Sequence, residues 1–175
     1  MSLLAEELVE EWLNRQGYFT IRGIKAGVHE IDLLAIGPVA GGIQARHIEV
    51  QASVNPISYL APLTKADQLA LGRAPYNARA RTVDQMRAGM REWVQKKFYD
   101  GGKEALRQSL YGGRWELEFV IHKVKYEDEL SMLEAEGIKV WRLAEVVRAM
   151  SARGNKVKGA AGSSLLDLII LGGEL

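Results

Sequence analysis

Two strand-like segments joined by a short turn constrain this fold more than any other feature of the sequence. Residues 30–36 and 46–52 are rich in apolar and β-branched side chains, and the Gly- and Pro-containing link 37–42 separates them. This pattern is typical of a β-hairpin. If the hairpin is symmetric about the bond between Ala40 and Gly41, residues whose numbers sum to 81 face each other.

In this register Asp32 lies opposite Glu49. Side chains alternate along a strand, so Glu49 and Gln51 share one face while Ile48 and Val50 share the other. Directly opposed carboxylates, with Cβ atoms about 4.5–5.5 Å apart, repel each other unless a cation neutralises them. Oxygen ligands favour hard ions such as Mg²⁺. The pair therefore predicts a metal site for phosphoryl-transfer chemistry, and the alternative is two solvated carboxylates.

The remaining periodicity predicts a mixed α/β sheet with helices on both faces, in the element order αβββ–α–βαβα. The interval 53–82, which contains three prolines, is predicted to be a long insertion with at most short helices. A further short helix should end at Leu110. The other predicted helices cover residues 2–16, 83–98, 126–136 and 144–152, and the other predicted strands cover residues 18–22, 115–122 and 138–143.

The length of 175 residues suits one domain with a buried core, which we assign to residues 1–153. Residues 154–175 are predicted to form a flexible basic linker and an apolar segment. The apolar stretch at 164–171 should dock either on its own domain or on a second copy, as in a homodimer.

Charge is unevenly distributed along a chain whose net charge is only +1. The part up to Gln51 is rich in Glu and Asp, whereas a later stretch is basic. A basic surface beside an acidic pocket suits a metal-dependent enzyme that acts on a polyanion, and the alternative is a solvated helix face. The basic residues of that stretch are Arg73, Arg79, Arg81, Arg87, Arg91, Lys96, Lys97, Lys103 and Arg107.

Several other chemistries are disfavoured by the residues present. The chain has no cysteine, so it has no thiolate zinc site, and its three histidines lack HExxH spacing. His29 is a weak candidate for substrate contact because it lies close to Asp32. No phosphate-loop, dinucleotide or serine-hydrolase motif occurs. Neither a signal peptide nor a long apolar run is present, so we expect a cytoplasmic protein without a membrane span.

The acidic residues and their spacing resemble the core of the PD-(D/E)XK nuclease superfamily, which has the restriction-endonuclease-like fold. The matching features are Glu6 in the first helix, Asp32 in the second strand and Glu49-Val50-Gln51 in the third, within about the first 52 residues. The spacing is especially similar to archaeal Holliday junction resolvases. The resemblance implies an αβββαβ core and a Mg²⁺- or Mn²⁺-dependent endonuclease that hydrolyses DNA in repair, recombination or restriction.

Site roles follow from the same resemblance. It implies that Asp32 and Glu49 bind the metal, that Glu6 approaches it directly or through water, and that the Val50 carbonyl is a further ligand. Gln51 stands where the superfamily motif has Lys, and it offers hydrogen bonds without charge. That departure leaves open a catalytically inactive nuclease-fold protein that acts as a DNA-binding or assembly subunit.

Other residues enter as substitutes or as contacts to DNA. Glu10 is the reserve for Glu6, and Lys25 or Lys65 could replace the missing lysine charge. The DNA backbone should be held by this Arg- and Lys-rich stretch, and the candidate contact residues within it are Arg73, Arg79, Arg81, Arg87 and Arg91.

Overall fold

The computed structural model describes residues 2–150 together with Lys156. A single five-stranded sheet has the order β1-β2-β3-β4-β5, in which β1, β2 and β3 are antiparallel while β3, β4 and β5 are parallel. The predicted mixed α/β architecture is confirmed. The elements are α1 (Ser2–Arg15), β1 (Phe19–Ala26), β2 (His29–Val39), β3 (Gly42–Gln51), α2 (Lys65–Leu71), α3 (Val83–Phe98), α4 (Gly101–Leu110), β4 (Trp115–Ile121), α5 (Asp128–Ala135), β5 (Lys139–Arg142) and α6 (Leu143–Met150).

The hairpin of β2 and β3 has the predicted register. Val39 pairs with Gly42, and the pairing continues without a slip to Leu33 and Ile48, so every pair sums to 81. The turn is shorter than predicted because both strands extend to it, and Gly41 adopts a φ of 96° that favours glycine. The symmetric tight turn fixes which residues of the two strands meet.

Helices cover both faces of the sheet, as the periodicity predicts. On one face α1 and α6 bury an apolar cluster that includes Val9, Leu13, Ile48 and Val146. On the other face α3 and α5 pack around Phe98. β3 and β4 are sandwiched between these layers, which explains why residues 45–50 of β3 and 118–121 of β4 are all buried.

Element boundaries differ from the predictions mainly at strand ends. β1 is longer than the predicted 18–22 because Gly27, with a φ of 63°, forms a tight turn only after Ala26. The helix predicted over 126–136 is shorter, whereas α3 has the predicted bounds, with Thr82 and Gln85 forming a capping box at its start.

The insertion at 53–82 contains the one short helix α2 and is held firmly against the domain. Leu60 N–H donates to both carboxylate oxygens of Glu129, a fully buried residue of α5, at 3.2 and 3.1 Å. Where the insertion passes α3, a Cβ placed on Gly89 would lie 2.3 Å from the carbonyl oxygen of Pro62. The insertion therefore packs on α3 at a point where the helix has no side chain.

Two predicted features lie outside the described residues. These are the linker and apolar segment within 154–175, apart from Lys156, and the end of the last predicted helix beyond Met150. Among residues 2–150 no helix is both long enough and apolar enough to cross a bilayer.

Candidate metal and phosphate site

Asp32 lies where the strands around it stop pairing. The ladder between β2 and β3 ends at Leu33 and Ile48, and the ladder between β1 and β2 omits Asp32 and Gly23. Gly23 has a φ of 64°. The Asp32 carboxylate reaches from β2 to β3, where its Oδ2 accepts a 2.8 Å hydrogen bond from Val50 N–H. Asp32 and Glu49 thus occupy the next register position beyond the ladder, as the hairpin predicts.

Glu49 is fully buried and surrounded by cationic and hydrogen-bonding groups. Its Oε1 lies 2.9 Å from Nε2 of His47 and accepts a 2.7 Å hydrogen bond from Nζ of Lys103. Its Oε2 makes no hydrogen bond of good geometry but forms an ion pair with Nζ of Lys97 at 2.5 Å. One side of the carboxylate is therefore satisfied by fixed groups, while the other depends on a single ammonium group.

The Lys97 ammonium group also lies 4.0 Å from Oδ2 of Asp32, so it contacts both carboxylates. Burial alone would lower the pKa of Lys97, but Glu49 and Asp32 outweigh it and raise that pKa. The sequence places Lys97 among the residues that grip DNA. That interpretation is corrected by the position of Lys97 beside Asp32 and Glu49. The positive charge that the two carboxylates need is supplied in part by this lysine of α3.

The two carboxyl groups have opposite pKa shifts. Burial and the negative charge of Glu49 raise the pKa of Asp32 to about 7. Burial also acts to raise the pKa of Glu49, but the hydrogen bond from His47 and the charges of Lys97 and Lys103 lower it to about 2. At neutral pH Glu49 is ionised and Asp32 is near its midpoint, so a cation at Asp32 must compete with a proton.

Buried cationic groups on α4 hold this arrangement in place. Arg107 lies 2.7 Å from Nδ1 of His47 and donates to the Phe98 carbonyl at 2.7 Å. Lys103, one turn earlier, donates to the Lys97 carbonyl at 2.9 Å. Burial lowers the pKa of His47, so its neutral ring accepts from Arg107 at Nδ1 and donates to Glu49 from Nε2.

Lys103 and Arg107 were predicted to belong to the DNA-gripping basic stretch, and that interpretation is wrong for both. They are only 2% and 4% exposed, and they connect the end of α3 to β3. The signal that could have identified them is their spacing of four residues on one helix face, which turns both inward.

The first helix directs its acidic residues to different places. Glu6 is buried, and its charge is one of those that raise the pKa of Lys97. Glu10 instead accepts a hydrogen bond from Thr20 and forms an ion pair with Arg22. Glu6 is thus the acidic residue of α1 near the site, whereas Glu10, the predicted alternative to Glu6, is bound to residues of β1.

A cleft of about 790 Å³ opens over Asp32 and Lys97. The insertion forms one wall and α3 forms the other. Glu49 does not line the cleft, whereas Lys97, which forms an ion pair with it, does. Lys65 lines this cleft, whereas Lys25 lies on β1 and pairs with Glu30 in the ladder. Of the two residues predicted to replace the missing lysine charge, only Lys65 therefore lies at the cleft.

The five predicted DNA-contacting arginines do not form one surface with the cleft. Arg81 donates to the Ala61 carbonyl at 2.8 Å and stacks 3.8 Å from the Tyr59 ring centroid, so it holds the insertion together. Arg91 pairs with Glu136 on the side of α3 that faces α5. Of the other three, Arg73 donates from its guanidinium group to the Ala80 carbonyl, Arg79 is exposed, and Arg87 lies near Asp84. None of the five arginines lines the cleft.

Gln51 and Val50 have backbone roles in the sheet. The Gln51 carbonyl accepts a 3.3 Å hydrogen bond from His122 N–H, and Gln51 is not among the residues that line the cleft. Val50 contacts the site through its N–H group, whereas the resemblance assigns a role to its carbonyl. Across residues 2–150 no cluster of three or more His, Cys, Asp or Glu side chains is arranged to hold a metal ion, so Asp32 and Glu49 stand as a pair.

Comparison with known proteins gives one structural similarity. No protein-family model matches the sequence, and no curated protein matches it. The chain is similar to the crystal structure of a protein of unknown function, AF1548, with 12% sequence identity and a TM-score of 0.49. That similarity covers 98% of this chain and 78% of the other.

Proposed function

We propose that this protein is a divalent-metal-dependent phosphodiesterase with a restriction-endonuclease-like core, and that it hydrolyses DNA. The observation that carries the proposal is the contact of the Lys97 ammonium group with both Asp32 and Glu49, at 4.0 and 2.5 Å. Two carboxylates and a lysine at one site combine a place for a cation with a fixed positive charge. These are the components that phosphoryl transfer needs, since charge develops on the phosphate oxygens.

The residues present fit a Mg²⁺ or Mn²⁺ ion. Asp32 and Glu49 would hold it, because Mg²⁺ is commonly bound through one or two carboxylates, with water and substrate phosphate oxygens completing the shell. Oε2 of Glu49, which lacks a well-directed hydrogen bond, and Asp32, with its raised pKa, are the oxygens that gain most from a cation. When bound, the ion would polarise the phosphodiester group and neutralise its charge.

The protein's own groups perform the remaining tasks. Val50 N–H orients the Asp32 carboxylate, while His47 and Lys103 fix the Glu49 carboxylate from behind. Lys97 would stabilise negative charge on the phosphate. This lysine of α3 would thereby provide the positive charge that Gln51 of β3 lacks. Glu6 adds its negative charge to those of Glu49 and Asp32, which together raise the pKa of Lys97.

A second candidate function is a DNA-binding or assembly subunit without catalysis. The observation that favours it is that Lys97 and Lys103 both form ion pairs with the Glu49 carboxylate, at 2.5 and 2.7 Å. In this case the lysines replace the cation permanently, and the cleft serves only for binding. Binding without cleavage in every divalent ion tested would select this candidate.

A cleavage assay tests the proposal. Supercoiled, linear and four-way DNA substrates are incubated with Mg²⁺ or Mn²⁺, and the wild type is compared with Asp32→Asn, Glu49→Gln and Lys97→Met. We expect metal-dependent cleavage that falls by about 10²- to 10³-fold in each variant. Glu30→Gln is the matched control, because Glu30 is an exposed acid that lines the same cleft. Cleavage that survives all three substitutions would reject the assigned site.

A further inference from the structure

We propose that the cleft over Asp32 binds DNA as a single strand, with a base stacked on Tyr76 and flanking phosphates held by Lys65 and Lys96. The inference rests on the proposed phosphodiesterase function and names the form of DNA that the site accepts. Three observations support it. Asp32 is only slightly exposed, the cleft walls carry lysine and aromatic side chains, and hydrogen bonds fix the backbone next to Tyr76.

Access to Asp32 is restricted. Its side chain is only 16% exposed, so a phosphate must enter the cleft to contact it. The cleft volume of about 790 Å³ lies within the range of pockets that enclose small molecules. A duplex is a stiff rod with a persistence length of about 150 base pairs. A single strand, by contrast, can bend between the two walls and place one phosphate beside Asp32.

Tyr76 presents an aromatic surface from the wall formed by the insertion. It is 61% exposed and lines the cleft together with Trp93 of α3. The preceding residue, Pro75, is fixed because its carbonyl accepts hydrogen bonds from Leu63 N–H at 2.8 Å and from Arg81 at 2.9 Å. An exposed aromatic ring on a fixed backbone, beside the lysines of the cleft, is the pattern that single-strand binding proteins use for base stacking.

Two exposed lysines flank the acidic residue in the same cleft. Lys65 lies at the start of α2 and Lys96 lies in the last turn of α3, on opposite walls. Neither forms a salt bridge with any residue in the described part of the chain. Two free ammonium groups on facing walls can hold successive phosphates of one strand on either side of the phosphate at Asp32.

Binding measured without divalent ions tests the inference separately from cleavage. Fluorescence anisotropy in EDTA compares a labelled single strand of about 12 nucleotides, a length typical of such sites, with its duplex. We expect the single strand to bind at least about tenfold more tightly. Tyr76→Ala should weaken single-strand binding by about 5- to 150-fold, and Tyr76→Phe should preserve it. Phe19→Ala, which removes an exposed ring on β1 outside the cleft, is the control.

A second pair of variants uses one helix. Lys96→Gln should reduce the salt dependence of single-strand binding by about 0.7 in the log–log slope, while Arg87→Gln, on the other side of α3, should leave it unchanged. Equal or tighter binding of the duplex, or no effect of Tyr76→Ala, overturns the inference. If only duplex DNA is cleaved with Mg²⁺, the inference fails and the proposed function stands. If the single strand binds as expected but nothing is cleaved, the proposed function fails instead.

Discussion

The main-chain N–H group of Val50 donates a 2.8 Å hydrogen bond to Oδ2 of Asp32, so β3 orients the carboxylate that β2 contributes. This bond spans the place where the two strands cease to pair. It also stabilises the ionised form of Asp32, against burial and the repulsion from Glu49. The backbone therefore holds Asp32 close to Glu49 although their negative charges repel each other. For this reason we expect the stability of the pair to depend on pH and on cations.

Asp32→Asn should stabilise the protein at alkaline pH. The pKa of Asp32 is about 7 in the folded state against 3.8 for a free side chain, so its contribution is fully favourable below pH 3.8 and is lost as pH rises through 7. Asn stays neutral and can still accept from Val50 N–H. We expect a gain of at most about 4 kcal/mol at pH 8 without divalent ions, shrinking towards pH 4. Urea unfolding at several pH values measures it, and a variant less stable than wild type at pH 8 would contradict it.

Glu49→Gln should destabilise the protein at neutral pH. The pKa of Glu49 is about 2 against 4.5 when free, so its stabilising effect is present above pH 4.5 and is lost as pH falls towards 2. Gln leaves the buried ammonium group of Lys103 without its counter-ion and that of Lys97 with Asp32 alone, at a cost of about 3–5 kcal/mol at pH 7. The deficit should shrink near pH 3. Glu30→Gln, at an exposed position, should change stability by no more than about 0.5 kcal/mol.

Lys97→Met should separate metal binding from catalysis. In the proposed site the ammonium group and a divalent ion would share the same two carboxylates, so removing the ammonium group should tighten Mg²⁺ binding by about 5- to 150-fold. Cleavage should nevertheless fall, because the positive charge near the phosphate is lost. Isothermal titration calorimetry without DNA gives the affinity, with Lys96→Met as the neighbouring control. Unchanged or weaker Mg²⁺ affinity in Lys97→Met would show that lysine and metal do not compete.

Lys103→Met should be costly to stability although Lys103 lies in a stretch of basic surface residues. Its buried ammonium group joins Glu49 to the Lys97 carbonyl, and losing it leaves both acceptors short of a donor. We expect a loss of about 3–5 kcal/mol in chemical denaturation. Arg87→Met, which removes an exposed cation, should cost no more than about 0.5 kcal/mol. Similar costs for the two variants would contradict the structural role of Lys103.

The sequence could predict the parts of the site that depend on local geometry. The placement of Asp32 beside Glu49 follows from one tight turn, because antiparallel pairing propagates a register over the whole hairpin. The bounds of α3 follow likewise from its capping box and apolar spacing. Glu6, the helix acid that the resemblance implies, lies near Lys97.

The contributions of α3 and α4 could not be predicted, because they depend on tertiary packing. A run of Arg and Lys residues contains no signal that separates Lys97 and Lys103, which turn towards Glu49, from Arg87 and Arg91, which turn away. Composition identifies a basic segment, but helix rotation decides which charges reach the sheet. The position of Lys97 beside both carboxylates is therefore visible only in three dimensions.

The close approach of Gly89 to Pro62 has a consequence for selectivity. Gly89 and Lys97 lie about two turns apart on the same helix, so the spot where the insertion rests is rigidly related to the ammonium group. Adding one methyl group at Gly89 would force Pro62, which lines the cleft, or α3 to move and would reshape the opening without altering any charge. The shape of the opening and the charge beside it are thus separate properties of α3. The shape depends on Gly89, which has a hydrogen atom where every other amino acid has a Cβ carbon.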